Sequence, residues 1–113
     1  MFLKDDFVRI LRRYNPESVE FGKDLAYLCF RNNASKEEFV NEIFSPENLQ
    51  IIEKQEINNE ERFALYFIYS KTRGRVYILR FYSEKIRVIT IFPLGRRTLN
   101  KYFKRKFKIW DNC

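Results

Sequence analysis

Histidine is absent from this 113-residue chain, and cysteine and glycine are scarce, with 2 and 3 residues. Cys29 and Cys113 lie far apart and outside any C-x-x-C pair, so the chain has no zinc-binding pattern. Two such cysteines also exclude a disulfide scaffold, and Cys29 is interpreted as a core residue. So few glycines leave no P-loop or other glycine-rich phosphate loop. We therefore expect neither a metal nor a cofactor.

A long apolar run is also missing. The longest one, Phe63 to Tyr69, is far shorter than the roughly 20 residues that a membrane-spanning helix needs. Asp5 and Asp6 follow the first apolar residues directly, which does not fit a signal peptide. We therefore expect a cytoplasmic protein with no membrane partner. An apolar content of 45% is sufficient for one core, which predicts a single domain over residues 1–113.

Acidic residues are scarce in the second half of the chain. Residues 1–61 contain 8 Lys/Arg and 13 Asp/Glu, a net charge of −5. Residues 62–113 contain 14 Lys/Arg and 2 Asp/Glu, a net charge of +12, which gives +7 for the whole chain. This division favours a polyanionic partner for the C-terminal half, either RNA or DNA or an acidic protein. The alternative is a basic surface with no specific ligand.

Apolar residues at helical spacing predict three helices in the N-terminal half. We expect the first over about Lys4 to Tyr14, and the second from Pro16 to about Arg31. The third is predicted to begin at a capping box, in which Ser35 accepts from the amide of Glu38, and to end at about Phe44.

The next segment is rich in aromatic and β-branched residues, which predicts an antiparallel meander of four strands. The strands are expected at Leu49–Ile57, Arg62–Lys71, Arg75–Tyr82 and Lys85–Phe92. The turns are expected at Asn58-Asn59, Arg73-Gly74 and Ser83-Glu84, with Gly74 at positive φ. The predicted fold class is α+β, with the N-terminal helices packed on the four-stranded antiparallel meander and a basic C-terminal helix after it.

The register of the strands can be predicted from the turns. If Thr72 opposes Arg75, and Tyr82 opposes Lys85, the core face carries Ala64, Tyr66, Ile68, Tyr77, Leu79, Phe81, Ile86, Val88 and Phe92. The other face then places Arg80 directly opposite Arg87. Like charges opposed across strands destabilise a sheet. The pair therefore implies a bound anion, a nearby carboxylate, or a register that differs by one residue.

A run of cations without any acid follows the last strand, between Gly95 and Lys108. Leu99, Tyr102 and Phe103 interleave with it, which predicts a helix that lies on the domain with its cations outward. Such cations match a phosphate backbone. The predicted nucleic-acid-binding residues are Arg75, Arg80, Arg87, Arg96, Arg97, Lys101, Lys104 and Arg105.

The run from Gly74 to Phe92, followed by Arg96-Arg97-Thr98, resembles the C-terminal sheet of RelE/HigB-like toxins. In that family an arginine opens a strand, a short turn follows, the next strand ends near a phenylalanine, and a basic cluster with threonine comes next. The residues that fall on these places are Arg75, Phe92, Arg96, Arg97 and Thr98. The wider group includes barnase-like and colicin-like ribonucleases, which place helices before a four-stranded antiparallel sheet. The resemblance implies an endoribonuclease and a partner antitoxin.

Ribonuclease chemistry needs no histidine or metal when the RNA 2′-hydroxyl attacks the phosphate. It needs a proton acceptor, for which the predicted candidates are Tyr77, Tyr82 and Tyr102. It also needs cations on the developing phosphorane charge, and Arg75, Arg80 and Arg87 are the predicted catalytic arginines. The sequence therefore predicts three alternative functions. The first is RNA or DNA binding, with RNA favoured. The second is RelE-like ribonuclease activity, and the third is viral or host-regulatory binding of an acidic protein.

Overall fold

The computed structural model describes residues 4–101, and three α-helices occupy the N-terminal half of that range. They are α1 (Lys4–Leu11), α2 (Leu25–Asn32) and α3 (Lys36–Phe44). The cap of α3 is confirmed, since Ser35 Oγ accepts a hydrogen bond of 3.2 Å from the backbone amide of Glu38. None of the helices within residues 4–101 is long and apolar enough to span a membrane.

The segment between α1 and α2 differs from the prediction of a continuous second helix. It forms a 3-10 turn at Pro16–Ser18 and then a two-residue strand, β1 (Val19–Glu20). Gly22 follows at φ 80°, a left-handed conformation that does not continue a helix. Val19 is buried and pairs with Ile86, so its burial in the sheet favours a strand over a helix here.

Four longer strands form the antiparallel meander that the sequence predicts, which confirms that part of the fold. They are β2 (Leu49–Ile57), β3 (Glu60–Ile68), β4 (Gly74–Phe81) and β5 (Ile86–Leu94). β1 pairs with β5 in the parallel direction, giving the strand order β1-β5-β4-β3-β2. The fold is therefore α+β, but the sheet is mixed and has five strands instead of four.

Two of the three predicted turns are confirmed. Asn58 and Asn59 join β2 to β3 with φ of 53° and 66°, a conformation that asparagine tolerates better than most residues. The backbone amide of Tyr82 donates a hydrogen bond of 2.9 Å to the carbonyl oxygen of Lys85, which closes the short turn between β4 and β5.

The turn between β3 and β4 spans residues 69–73 and is longer than predicted. Gly74 lies in β4 without a positive φ. A glycine is required there because a Cβ atom would lie 2.8 Å from the carbonyl oxygen of Phe67. Because the turn is longer, Arg75 pairs with Phe67 instead of Thr72. This register shift is an odd number of residues, so Leu65 and Phe67 share a face with Tyr77. The predicted assignment of Ala64, Tyr66 and Ile68 to that face was therefore wrong.

A bulge in β5 changes the register a second time. Ile78 pairs with Thr90 and Leu79 pairs with Val88, which leaves one extra residue in β5. Beyond the bulge, Ile91 is buried in the main core, and Phe92 packs on the opposite face. The prediction that placed Phe92 in the main core was wrong for this reason.

The two faces of the sheet carry separate cores. The inner face, which the three helices cover, holds the larger one, with Phe7, Leu28, Phe39 and Ile43 from the helices against Phe63, Leu65, Phe67, Tyr77, Leu79, Ile86, Val88 and Ile91. The outer face holds a smaller core in which Leu99 packs with Val76 and Leu94. Leu99 belongs to residues 96–101, which are helical, as the predicted C-terminal helix requires. The rest of that predicted helix lies outside the described residues.

Candidate nucleic-acid interface

Arg80 and Arg87 are direct cross-strand partners on the outer face of the sheet. Arg80 comes from β4 and Arg87 from β5, and the tight turn between these strands fixes their register. The predicted opposition of the two arginines is therefore confirmed. Their side chains are 30% and 37% exposed, so both guanidinium groups are accessible from solvent.

Two carboxylates flank this arginine pair, and each of them bridges two cations. Glu60 contacts Arg80 Nη1 at 2.7 Å and Arg62 Nη2 at 3.1 Å. Glu20 forms an ion pair with Arg87 and contacts Lys85 Nζ at 3.1 Å. The sequence left three explanations open for the arginine pair: a bound anion, a nearby carboxylate or a different register. Among the described residues, the structure shows the second of these, with one carboxylate beside each arginine. Four cations surround only two carboxylates, which leaves positive charge uncompensated.

Strand pairing brings these residues together. Glu20 lies beside Arg87 because β1 and β5 pair in parallel, with these two residues in register. Glu60 begins β3 directly after its turn, and Arg62 follows on the same face. Gly22 leaves room for the Arg87 side chain, because a Cβ atom there would collide with the guanidinium group.

The cations keep both carboxylates ionised. The hydrogen bond from Lys85 is the main reason that the pKa of Glu20 lies below its ordinary value, and Arg87 lowers it further. The hydrogen bond from Arg62, followed by the charge of Arg80, lowers the pKa of Glu60 in the same way. Both groups are therefore acceptors, not donors, at neutral pH.

Tyr82 completes the site with an aromatic ring that is 39% exposed. The ring lies beside two of the cations, with Arg80 Cζ at 4.9 Å and Lys85 Nζ at 5.3 Å from its centroid. The backbone of Tyr82 is anchored, since its carbonyl oxygen accepts a hydrogen bond from the Tyr14 hydroxyl.

These residues line an open groove of about 410 Å³, which we call the outer groove. Its charged lining comprises five cations and three carboxylates: Lys23, Arg62, Arg80, Lys85, Arg87, Glu20, Asp24 and Glu60. The net excess of two positive charges, with an exposed aromatic ring beside them, suits a phosphate-bearing ligand.

The helical residues 96–101 add cations to the other end of the same face. Leu99 is buried, whereas Arg96, Arg97 and Lys101 are exposed and form no ion pair with another described residue. Leu99 packs on Val76, which is four residues from Arg80 along β4. The two basic regions are therefore separated by about 13 Å along the strand. Three further predicted residues, Tyr102, Lys104 and Arg105, lie outside the described residues.

Arg75 and Tyr77 were predicted together with Arg80 and Arg87, but the structure places them on the inner face. Glu42 of α3 accepts a hydrogen bond of 3.0 Å from Arg75 Nη1 and one of 2.5 Å from the Tyr77 hydroxyl. Burial, and then the charge of Glu42, raise the pKa of Tyr77. These two residues therefore belong to a buried network that joins α3 to the sheet, away from the outer groove.

Several residues of the outer groove were not predicted from the sequence. Glu60 and Arg62 lie two residues apart at the start of β3, so the alternation of side chains along a strand indicates that they share a face. Glu20 gave no such signal, because its surroundings read as a helix. The described residues contain no group of three or more His, Cys, Asp and Glu that could hold a metal ion.

Comparison with known proteins found no family model, no curated protein and no solved structure that matches the chain. The resemblance to RelE/HigB-like toxins therefore stays a prediction from the residues alone. What can be said of function comes from the geometry of the outer face.

Proposed function

We propose that the protein binds RNA, with the phosphate backbone seated in the outer groove. The observation that supports this most directly is the cross-strand pair of Arg80 and Arg87, which lies on the face that the three helices leave open. Like charges opposed across strands destabilise a sheet by about 0.2–1 kcal/mol. Glu60 pairs with Arg80 and Glu20 with Arg87, but each carboxylate is shared with a second cation. A phosphate between the two guanidinium groups would offset the repulsion that remains and would receive hydrogen bonds from both.

The groove also offers groups that suit the sugar and the base. Glu20 and Glu60 are ionised acceptors beside the cations, and a ribose 2′-hydroxyl can donate a hydrogen bond to either of them. DNA lacks that donor, which favours RNA as the ligand. The exposed ring of Tyr82 offers a face on which a base can stack.

The cations of residues 96–101 extend the proposed contact along the outer face. Arg96, Arg97 and Lys101 are free to meet further phosphates because no described carboxylate pairs with them. An RNA that follows β4 from Arg80 toward Val76 would pass from the outer groove to these side chains.

Binding of a short, unstructured RNA by fluorescence anisotropy tests the proposal. The test variant is Arg80→Gln with Arg87→Gln. The matched control is Arg12→Gln with Arg13→Gln, which removes the same charge from the exposed turn after α1. We expect the groove variant to lose about tenfold in affinity and the control to lose much less. Equal losses in the two variants would overturn the groove as the binding site.

A ribonuclease is the second candidate, and the contents of the groove support it. An ionised carboxylate, two arginines and a tyrosine face the same space, which is a set able to accept a proton and to stabilise a phosphorane. An RNA cleavage assay with and without ribosomes tests this activity. Glu20→Gln and Glu60→Gln should abolish cleavage while RNA binding persists. If the wild-type protein binds no RNA, both of these functions lose their support, and an acidic protein becomes the preferred partner.

A further inference from the structure

Two aromatic side chains project from α2 into solvent. Phe30 is 86% exposed and Tyr27 is 59% exposed. The guanidinium carbon of Arg31 lies 6.0 Å from the centroid of the Tyr27 ring and 5.7 Å from that of Phe92 in β5. We call these four residues the α2 aromatic surface.

Packing of α2 explains why this side of the helix points outward. Leu28 and Asn32 are its buried residues, and Asn32 Nδ2 donates a hydrogen bond of 3.1 Å to the carbonyl oxygen of Ile91 in β5. This bond fixes α2 beside β5, whose pairing with β1 involves only Ile86 and Arg87. The aromatic rings thus lie along the edge of the sheet, on the solvent side of the helix.

Cations of both basic regions lie close along the chain to the α2 aromatic surface. Lys23, which lines the outer groove, precedes α2 by two residues. At the other end, Phe92 is followed closely by the exposed cations Arg96 and Arg97. A ligand that crosses this surface therefore has cations at both ends and aromatic rings between them. This alternation is typical of a site for single-stranded nucleic acid, in which phosphates meet cations and bases stack on rings.

We infer that the α2 aromatic surface binds the unpaired bases of a single-stranded RNA. The inference rests on the proposed RNA-binding function and names its ligand class. Tyr27 and Phe30 each present a ring face to a base, and the planar guanidinium of Arg31 adds a further stacking surface. A duplex has its bases stacked on one another and cannot use these rings, so the protein prefers single strands.

The test uses three probes: a single-stranded RNA, a duplex of the same sequence, and inorganic polyphosphate, which has no bases. The variant is Tyr27→Ala with Phe30→Ala, and the control is Ile57→Ala, which removes an exposed apolar side chain on the distant strand β2. We expect the variant to lose about tenfold or more in affinity for the single strand. Its affinity for polyphosphate, its salt dependence and its thermal unfolding should match the wild type.

The outcomes separate this inference from the proposed function. If the variant binds the single strand as tightly as the wild type does, the inference is overturned and the RNA-binding function stands. The same holds if its affinities for the single strand and for polyphosphate fall equally. If the wild-type protein binds none of the probes at low salt, the proposed function itself fails and the inference fails with it.

Discussion

The hydroxyl group of Tyr77 donates a hydrogen bond of 2.5 Å to the carboxylate of Glu42, deep between the sheet and α3. Arg75 and Tyr69 donate to the same carboxylate, so one acidic side chain satisfies three donors. A partly buried charge that accepts three hydrogen bonds in this way stabilises one packing arrangement, because loss of a partner leaves a polar group with fewer hydrogen bonds.

Removal of the Tyr77 hydroxyl should therefore destabilise the fold. For Tyr77→Phe we expect the free energy of unfolding to fall by about 1.5–3 kcal/mol, the range for a hydrogen bond to a charged group. Urea denaturation measures the change. Tyr27→Phe is a suitable control because the Tyr27 side chain is 59% exposed, and the loss of stability in that variant should be smaller. An equal loss in both variants would contradict the role given to Glu42.

The same network predicts a loss of stability in alkali. Burial, and then Glu42, raise the pKa of Tyr77 above its ordinary value of 10.0. The neutral phenol therefore stabilises the native state fully below pH 10, and this stabilisation decreases as the pH rises toward the folded-state pKa. We expect the free energy of unfolding to fall between about pH 10 and pH 12, and to fall less steeply in Tyr77→Phe. Identical pH profiles would count against the prediction.

Gly22 should be required where Gly95 is not. At φ 80° any other residue at position 22 is strained, and its Cβ atom would displace the guanidinium of Arg87. Nothing lies within 4 Å of a Cβ at Gly95. We expect Gly22→Ala to lower the free energy of unfolding by about 1 kcal/mol or more and to weaken RNA binding, with Gly95→Ala close to wild type. Thermal unfolding and anisotropy measure the two effects, and tolerance of Gly22→Ala in both would contradict the geometry of the groove.

Glu20 and Glu60 compete with a bound phosphate for the arginines. Glu20→Gln with Glu60→Gln removes two negative charges from the groove and should tighten binding of polyphosphate. RNA should gain less, because the same change removes the ionised acceptors of its 2′-hydroxyl groups. Glu37→Gln with Glu47→Gln is the control, since both side chains are exposed and form no ion pair with a described residue. In the wild-type protein, affinity should also rise as the pH falls through the lowered pKa values of Glu20 and Glu60. Weaker binding of polyphosphate by Glu20→Gln with Glu60→Gln would contradict this prediction. It would mean that the two carboxylates hold the arginines in place.

The aromatic and β-branched residues of the strands, together with the turn residues between them, were enough to predict the meander. The opposition of Arg80 and Arg87 could be predicted because the tight turn at Ser83-Glu84 sets their register. One of the remaining errors comes from a tertiary contact that the sequence does not display, and another from a strand alternation that it does. The strand β1 is only two residues long and is held by its pairing with β5. Two residues are too few to show the alternating pattern by which a strand is predicted. Arg75 was grouped with Arg80 by charge, although an odd separation of five residues in one strand places the two on opposite faces.

The salt dependence of RNA binding tests the central claim most directly. If the outer groove and the cations of residues 96–101 meet about four to six phosphates, the logarithm of the binding constant should fall with the logarithm of salt concentration at a slope of roughly −3 to −5. Each phosphate contact on a single strand contributes roughly 0.7 to the slope, so Arg80→Gln with Arg87→Gln should reduce its magnitude by about 1.4. Arg12→Gln with Arg13→Gln should leave the slope unchanged. Absence of RNA binding by the wild-type protein at about 50 mM salt, or a slope that the groove variant does not alter, would contradict the account.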